Sequence, residues 1–337
     1  MNEAVTSATV LGSPSVPSWP PPGWFTAALA APADEGSVDV AGARITYRAW
    51  GPAGAPGLVL VHGTAAHARW WDHIAPFLRD HGVPDGASHG SALHDDGLRV
   101  AALSMSGHGD SDWRDRYSLD HWSDEVMAVA SAAQVSGPPV IIGHSLGGGV
   151  ALHAAGRFGG TLAGIVVIDT AVHEGPPPAE MTGPEMGFGV GRTYPSREAI
   201  LDRFRLVPEH QVLPYVREHI AALSVTCRGD GQWGWKFDHS LFAKMAGQRQ
   251  SPAAPAGRAG CRVAILRAEH GLMSADMAGR LRARLGQPVP IAELPAAGHH
   301  VLLDEPLSLV AALRTLLANW TVKEPRDLAV PHAATEG

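Results

Sequence analysis

The stretch VIIGHSLGGGV, Val140 to Val150, constrains the fold of this chain more than any other. An unbroken apolar run, Pro139–Ile142, predicts a strand covered on both faces. Residues from Gly147 to Phe158 have the composition and spacing of a helix. Between them stands only Gly143-His144-Ser145-Leu146-Gly147, a G-x-S-x-G sequence. A strand that turns into a helix within so few residues needs glycine on both sides of the bend, and it lifts the serine between them above the sheet edge.

The rest of the chain extends that strand–helix pattern. Val38–Ala49 alternates like a hairpin with Ala41-Gly42 at its turn, and Gly57–Val61 is a short buried-type strand. Similar runs follow at Arg99–Leu103, Gly164–Ile168 and Arg262–Leu266, with a short apolar segment at Val289–Leu294. Helices are expected at Trp70–Asp80, Leu119–Ala133 and Pro306–Asn319. Strands alternating with helices predict an α/β protein with a doubly wound, mostly parallel sheet. The pattern stops after Ile168. Helices are expected there at Arg197–Leu206, Leu213–Leu223 and His239–Met245, with no strand run, so residues 171–259 read as an all-helical insertion. The expected organisation is a Pro-rich arm at 1–36, a core at 37–170 and 260–321, the insertion at 171–259, and a polar tail at 322–337.

Composition removes several classes. The net charge of −7, without a basic cluster, gives no reason to expect nucleic acid or an anionic membrane as a partner. No run reaches the ~18 apolar residues of a membrane span, and no charged-then-apolar signal peptide is read at the start. Cys227 and Cys261 make no disulfide framework. A cytoplasmic protein is the expectation. His81, His89 and His94, with Asp95 and Asp96, match no metal-ligand spacing and read as a solvated loop, so neither a metal nor an organic cofactor is expected.

A serine hydroxyl is a poor nucleophile until a base is set against it. Ser145 at the bend is the candidate nucleophile. The first amide of the following helix, that of Leu146, points where an oxyanion would form, and the loop after an earlier strand should supply a second donor. In GLVLVHGTAAH that donor is the amide of Thr64, with Gly63 permitting close approach. Among 18 histidines, His299 in AAGHHVLLDEP follows the last core segment and so lies at the same sheet edge as Ser145; His300 is its neighbouring rival. His144 reads as wall of the site.

Taken together, VLVHGTAAHARWWDHIAPFL, ALSMSGHGDSD, VIIGHSLGGG, GIVVIDT, VAILRAEHGLMS and AAGHHVLLDEP resemble the α/β-hydrolase fold superfamily, in its helical-cap serine-hydrolase branch. The resemblance runs from Val38 to Trp320. It implies an eight-stranded sheet, a cap formed by residues 171–259, a nucleophile at Ser145, a base at His299, and an oxyanion hole from Thr64 and Leu146; Asp110 looks structural in such proteins. One position departs from the pattern. Most members carry the acid on the loop after the strand equivalent to Val263–Leu266, where this chain has Gly271. A minority place it after the strand preceding the cap, which here makes Asp169 the acid, with Glu269 as the alternative. The expected function is hydrolysis of a small, largely apolar carboxylic ester or lactone through an acyl-enzyme. Carbon–carbon bond hydrolysis, thioester hydrolysis and ligand reception on the same fold stay open. Trp235, among the aromatic residues of the insertion, is a candidate for the substrate pocket.

Overall fold

The computed structural model describes residues 20–79, 97–172, 191–245 and 259–321. The expected loop at 81–97, the first and last parts of the chain, and the insertion's Met181, Met186 and Phe188 lie wholly or mostly outside them. Among the described residues ten strands run in chain order: β1 Asp34–Val40, β2 Ala43–Trp50, β3 Pro56–Val61, β4 Arg99–Leu103, β5 Ser136–His144, β6 Gly164–Ile168, β7 Val225–Cys227, β8 Trp233–Trp235, β9 Arg262–His270 and β10 Ile291–Gly298. The helices are α1 Gly23–Ala30, α2 Ala75–Arg79, α3 Leu119–Ala132, α4 Leu146–Phe158, α5 Arg197–Leu201, α6 Pro214–Leu223, α7 Leu241–Met245, α8 Ala275–Leu285, α9 Val301–Asp304 and α10 Pro306–Thr321.

Eight strands form one sheet in the order β1-β2-β4-β3-β5-β6-β9-β10. β2 runs antiparallel to β1 and β4, and every other neighbouring pair is parallel. The continuous apolar runs in the sequence follow from burial on both faces. Val59, Val61, Ile141, Ile165, Val167 and Ile265 enter one core, while Leu58, Leu60, Ile142, Val166, Ile168 and Leu266 enter the other. Successive side chains of a strand point to opposite faces, so each central strand feeds two cores. A fully buried aliphatic side chain contributes ~1.5–3 kcal/mol here.

The helices begin where the local chemistry caps them. Ser118 accepts from the His121 amide at 3.1 Å ahead of α3, and Ser274 accepts from the Met277 amide at 3.1 Å ahead of α8. Among the described residues no helix is long and apolar enough to cross a membrane.

Two regions differ from the sequence reading. The insertion is not all-helical. It holds α5, α6 and α7 but also the antiparallel ribbon β7–β8, in which Val225 pairs with Trp235. Strands of three residues around Gly234 carry too little periodicity to be seen in sequence. Within the expected Pro-rich arm, residues 23–30 form α1, whose Phe25 and Ala28 are buried in the core. Phe25 lies edge-on to Tyr215 at 4.9 Å, a contact no local pattern reveals.

The insertion docks at the carboxyl ends of the strands. The Gly109 amide, beyond β4, donates to the Lys236 carbonyl at 2.8 Å, and Asp238 donates back to the Gly107 carbonyl at 2.9 Å. Beyond β10, the Leu303 carbonyl accepts from the Leu213 amide at 3.0 Å. Beyond β3, His67 Nε2 lies 3.0 Å from Ser224 Oγ. Because that hydroxyl donates to the Ile220 carbonyl, it accepts from the imidazole.

Candidate active site

The sheet order sets β5, β6, β9 and β10 side by side, so the residues beyond their carboxyl ends converge. Ser145 leaves β5 with φ 54° and ψ −119°, a conformation rare for any residue but glycine. Its amide donates to the Ile168 carbonyl at 3.0 Å, and its carbonyl accepts from Thr170 Oγ1 at 2.9 Å and from the Gly148 amide at 3.0 Å. The flanking glycines leave the room the bend requires. A Cβ on Gly143 would sit 2.1 Å from the Gly147 carbonyl oxygen, and one on Gly147 would sit 2.3 Å from that of Val61. No other residue fits either position.

His299, immediately after β10, is 3% exposed. Its Nε2 lies 3.1 Å from Ser145 Oγ and its Nδ1 lies 2.7 Å from Asp169 Oδ2. Asp169, immediately after β6, is fully buried with φ 38°. Its carboxylate also accepts from the amides of Leu272 at 2.7 Å and of Ala268 and Met273 at 3.2 Å each. Burial pushes this carboxyl upward, but the His299 hydrogen bond and charge with the Leu272 and Met273 amides hold it below the ordinary carboxylate range. The group is thus a buried anion with its partners already in place.

Gly271 explains why the acid cannot stand on the β9 turn as well. A Cβ there would lie 2.2 Å from Asp169 Oδ1. The turn that carries a carboxylate in the commoner arrangement carries amides here, and its glycine clears the space. Glu269 points elsewhere: its Oε2 accepts from the Ala296 amide at 2.8 Å on the exposed side of β10. Arg267, two residues earlier on β9, pairs with Glu293.

The loop after β3 abuts the serine. A Cβ on Gly63 would lie 3.1 Å from Ser145 Cβ. Ala65 in the same turn has φ 58°. His62 braces this loop: its Nε2 accepts from the Met105 amide at 3.0 Å and its Nδ1 donates to the Gly63 carbonyl at 2.7 Å. Burial, with His108 beside it, lowers its pKa well below the usual value and keeps the ring neutral. The loop after β3 thus stands against Ser145 through Gly63, and Leu146 opens α4, whose first amides have no carbonyl one turn back to bond.

The two residues read as site wall and pocket candidate have these surroundings. His144 is 2% exposed, with Nε2 2.8 Å from the His299 carbonyl oxygen. Trp235 has its ring contacts with Tyr194 and Phe204 inside the insertion, at 6.5 and 6.1 Å. His300, the rival to His299, is buried and stacks on His210 at 5.1 Å. Sequence reasoning missed the Leu272 and Met273 amides and the His62 brace. Backbone donors leave no residue signature, and the glycine at 271 was their one trace.

With this geometry in hand, the comparison with known proteins is direct: residues 58–313 match the alpha/beta hydrolase family, and the chain belongs to it. It is 25% identical to the lipase LipV of Mycobacterium tuberculosis over 80% of this chain and 95% of that one. Over 41% of this chain and 48% of the relative, it is 32% identical to a monoacylglycerol lipase of Mycolicibacterium smegmatis. Among solved structures it superposes on E-2-(acetamidomethylene)succinate hydrolase with a TM-score of 0.67 and 18% identity, covering 85% of this chain and 99% of that one. That likeness is one of fold.

Proposed function

We propose that this protein hydrolyses a carboxylic ester or lactone of a small, largely apolar substrate through an acyl-enzyme on Ser145. The observation that carries the reading is the unbroken relay from Ser145 Oγ to His299 Nε2, at 3.1 Å, and from His299 Nδ1 to Asp169 Oδ2, at 2.7 Å. In the first step Ser145 Oγ attacks the carbonyl carbon while His299 takes its proton. Asp169 keeps the Nδ1 proton in place and stabilises the imidazolium that forms. The amides of Thr64 and Leu146 hold the oxyanion. His299 then protonates the departing alcohol oxygen, and water, deprotonated by the same imidazole, releases the acid. The names of the relatives, a lipase and a monoacylglycerol lipase, favour an ester with an apolar acyl group.

The test pairs a fluorophosphonate probe with a panel of p-nitrophenyl esters and lactones. The expected result is labelling at Ser145, abolished in Ser145→Ala, with turnover on at least one short or medium acyl chain. Tight ligand binding without labelling or turnover would replace this reading with a receptor role for the same fold.

A further inference from the structure

His144 ends β5, directly before Ser145. A carbonyl oxygen only accepts, so the 2.8 Å contact with the His299 carbonyl places a proton on His144 Nε2. Burial and then the nearby His299 lower the pKa of this ring to about 3, so at neutral pH it carries that proton alone and Nδ1 is bare. Its ring centroid stands 4.9 Å from that of His299 and 6.3 Å from that of His300. On the opposite side, a Cβ on Gly63 would come within 3.2 Å of its Nδ1. His144 therefore lies close to the loop after β3, precedes Ser145 in the chain, and holds the main chain of His299 through its imidazole.

That main chain needs gripping. β10 loses regular pairing with β9 between Leu294 and Gly298, and Ala296 adopts φ 59°. The strand ladder therefore fixes the approach to His299 poorly. Three side chains take over: Glu269 Oε2 accepts from the Ala296 amide at 2.8 Å, Asp304 Oδ2 accepts from the Gly298 amide at 2.6 Å, and His144 donates to the carbonyl one residue later.

We propose that His144 is a positioning residue for His299, its Nε2–H holding the base's main chain in register with the serine that follows it in sequence. The inference rests on the reading of Ser145 and His299 as nucleophile and base. It assigns His144 no contact with substrate. A tightly linked pair of this kind matters because a displacement of about 1 Å in a reacting group can cost ~10²-fold in rate.

Two variants separate the hydrogen bond from mere packing. His144→Phe keeps a buried ring and removes the donor, whereas His144→Gln offers an amide N–H at the place of Nε2. Four quantities are followed: kcat and KM on a p-nitrophenyl ester, Tm, and the low-field proton resonance of His299 Nδ1–H in its hydrogen bond to Asp169. His144→Phe is expected to lose ~10²-fold in kcat with KM little changed, and to shift or broaden the resonance. His144→Gln is expected to recover at least about tenfold of that loss. Wild-type kcat and an unmoved resonance in His144→Phe would overturn the proposal. So would equal losses in both variants that follow Tm. The resonance needs no substrate. If the wild-type protein cleaves no ester yet the resonance moves in His144→Phe and returns in His144→Gln, the positioning role stands and the ester reading falls.

Discussion

The end of β6 and the turn after β9 lie side by side beneath His299, and they contribute opposite halves of one hydrogen-bonded unit. The first gives a carboxylate, Asp169, with φ 38°. The second gives the amides of Leu272 and Met273, joined by that of Ala268 near the end of β9, and a glycine whose missing side chain leaves the carboxylate its place. Each region is incomplete without the other. An aspartate in a left-handed conformation costs of order 1–3 kcal/mol unless its surroundings fix it, and the cradle of amides does so. A buried carboxylate without donors would be driven neutral. The acid's position is thus a property of two adjacent strand ends together.

The largest expected effect tests which strand end holds the acid. Asp169→Asn should lower kcat on a cleaved ester by ~10⁴-fold, because an amide in that place can no longer hold His299 in the right tautomer. KM should move far less, since Asp169 is fully buried and Ser145 and His299 stand between it and the substrate. A loss of less than about tenfold would remove Asp169 from its role.

The second prediction addresses the cradle. Gly271→Ala puts a Cβ where the carboxylate oxygens now lie, 2.2 and 2.3 Å away. One of the two must move. The expected cost is ~1–3 kcal/mol of stability, read from the urea midpoint, with a fall in kcat of about 10²-fold as Asp169 shifts. In an Asp169→Asn background the loss of rate from Gly271→Ala should largely vanish, because the two changes act on one unit. Full additivity would separate the turn from the acid.

Much of this site was legible before the structure. The spacing around Ser145 foretold the elbow, because two glycines that must lack a Cβ mark the turn as firmly as any side chain. His299 followed from its place after the last apolar segment. Asp169 needed more: a strand ending in a carboxylate is common, and only the glycine at 271 argued against the alternative. The central strands were legible because burial on both faces makes them continuously apolar. β7 and β8 were not, being three residues each and stabilised by pairing with each other. Helix α1 escaped notice because its stability comes from packing Phe25 against Tyr215, far away in sequence.

A third prediction concerns His144, whose ring stands beside that of His299. With its folded pKa lowered to about 3, His144 takes up its proton only when the protein unfolds. Between about pH 3 and 6.5 the unfolded chain then binds one more proton, so stability rises with pH across that window and is fully present above ~6.5. Replacing His144 with Phe should flatten the pH slope of the unfolding free energy by ~1.4 kcal/mol per pH unit. Asp169 works in the same sense over a lower window: its contribution is present above the ordinary carboxylate range and is lost as pH falls through its lowered pKa. Burial lowers the pKa of His62, His67, His73, His108 and His300 as well, so it is the difference between wild type and His144→Phe, in urea titrations from about pH 4.5 to 7, that reports on His144 while Asp169 stays charged. An unchanged slope in His144→Phe would mean the ring is not held neutral.

The smallest effect is the sharpest control on the comparison. Glu269 is on β9, close in sequence to the turn that holds Asp169, yet its carboxylate is turned to the exposed amide of Ala296. Glu269→Gln keeps an oxygen that can accept from that amide and leaves every contact of Asp169 and His299 intact. Stability should change by less than ~0.5 kcal/mol, as for surface substitutions, and kcat should stay within about twofold of wild type. A ~10⁴-fold loss in Glu269→Gln, with Asp169→Asn near wild type, would reverse the assignment of the two strand ends. The geometry makes that outcome costly to explain, because Glu269 would have to abandon Ala296 and reach a ring whose Nδ1 already sits 2.7 Å from a buried carboxylate.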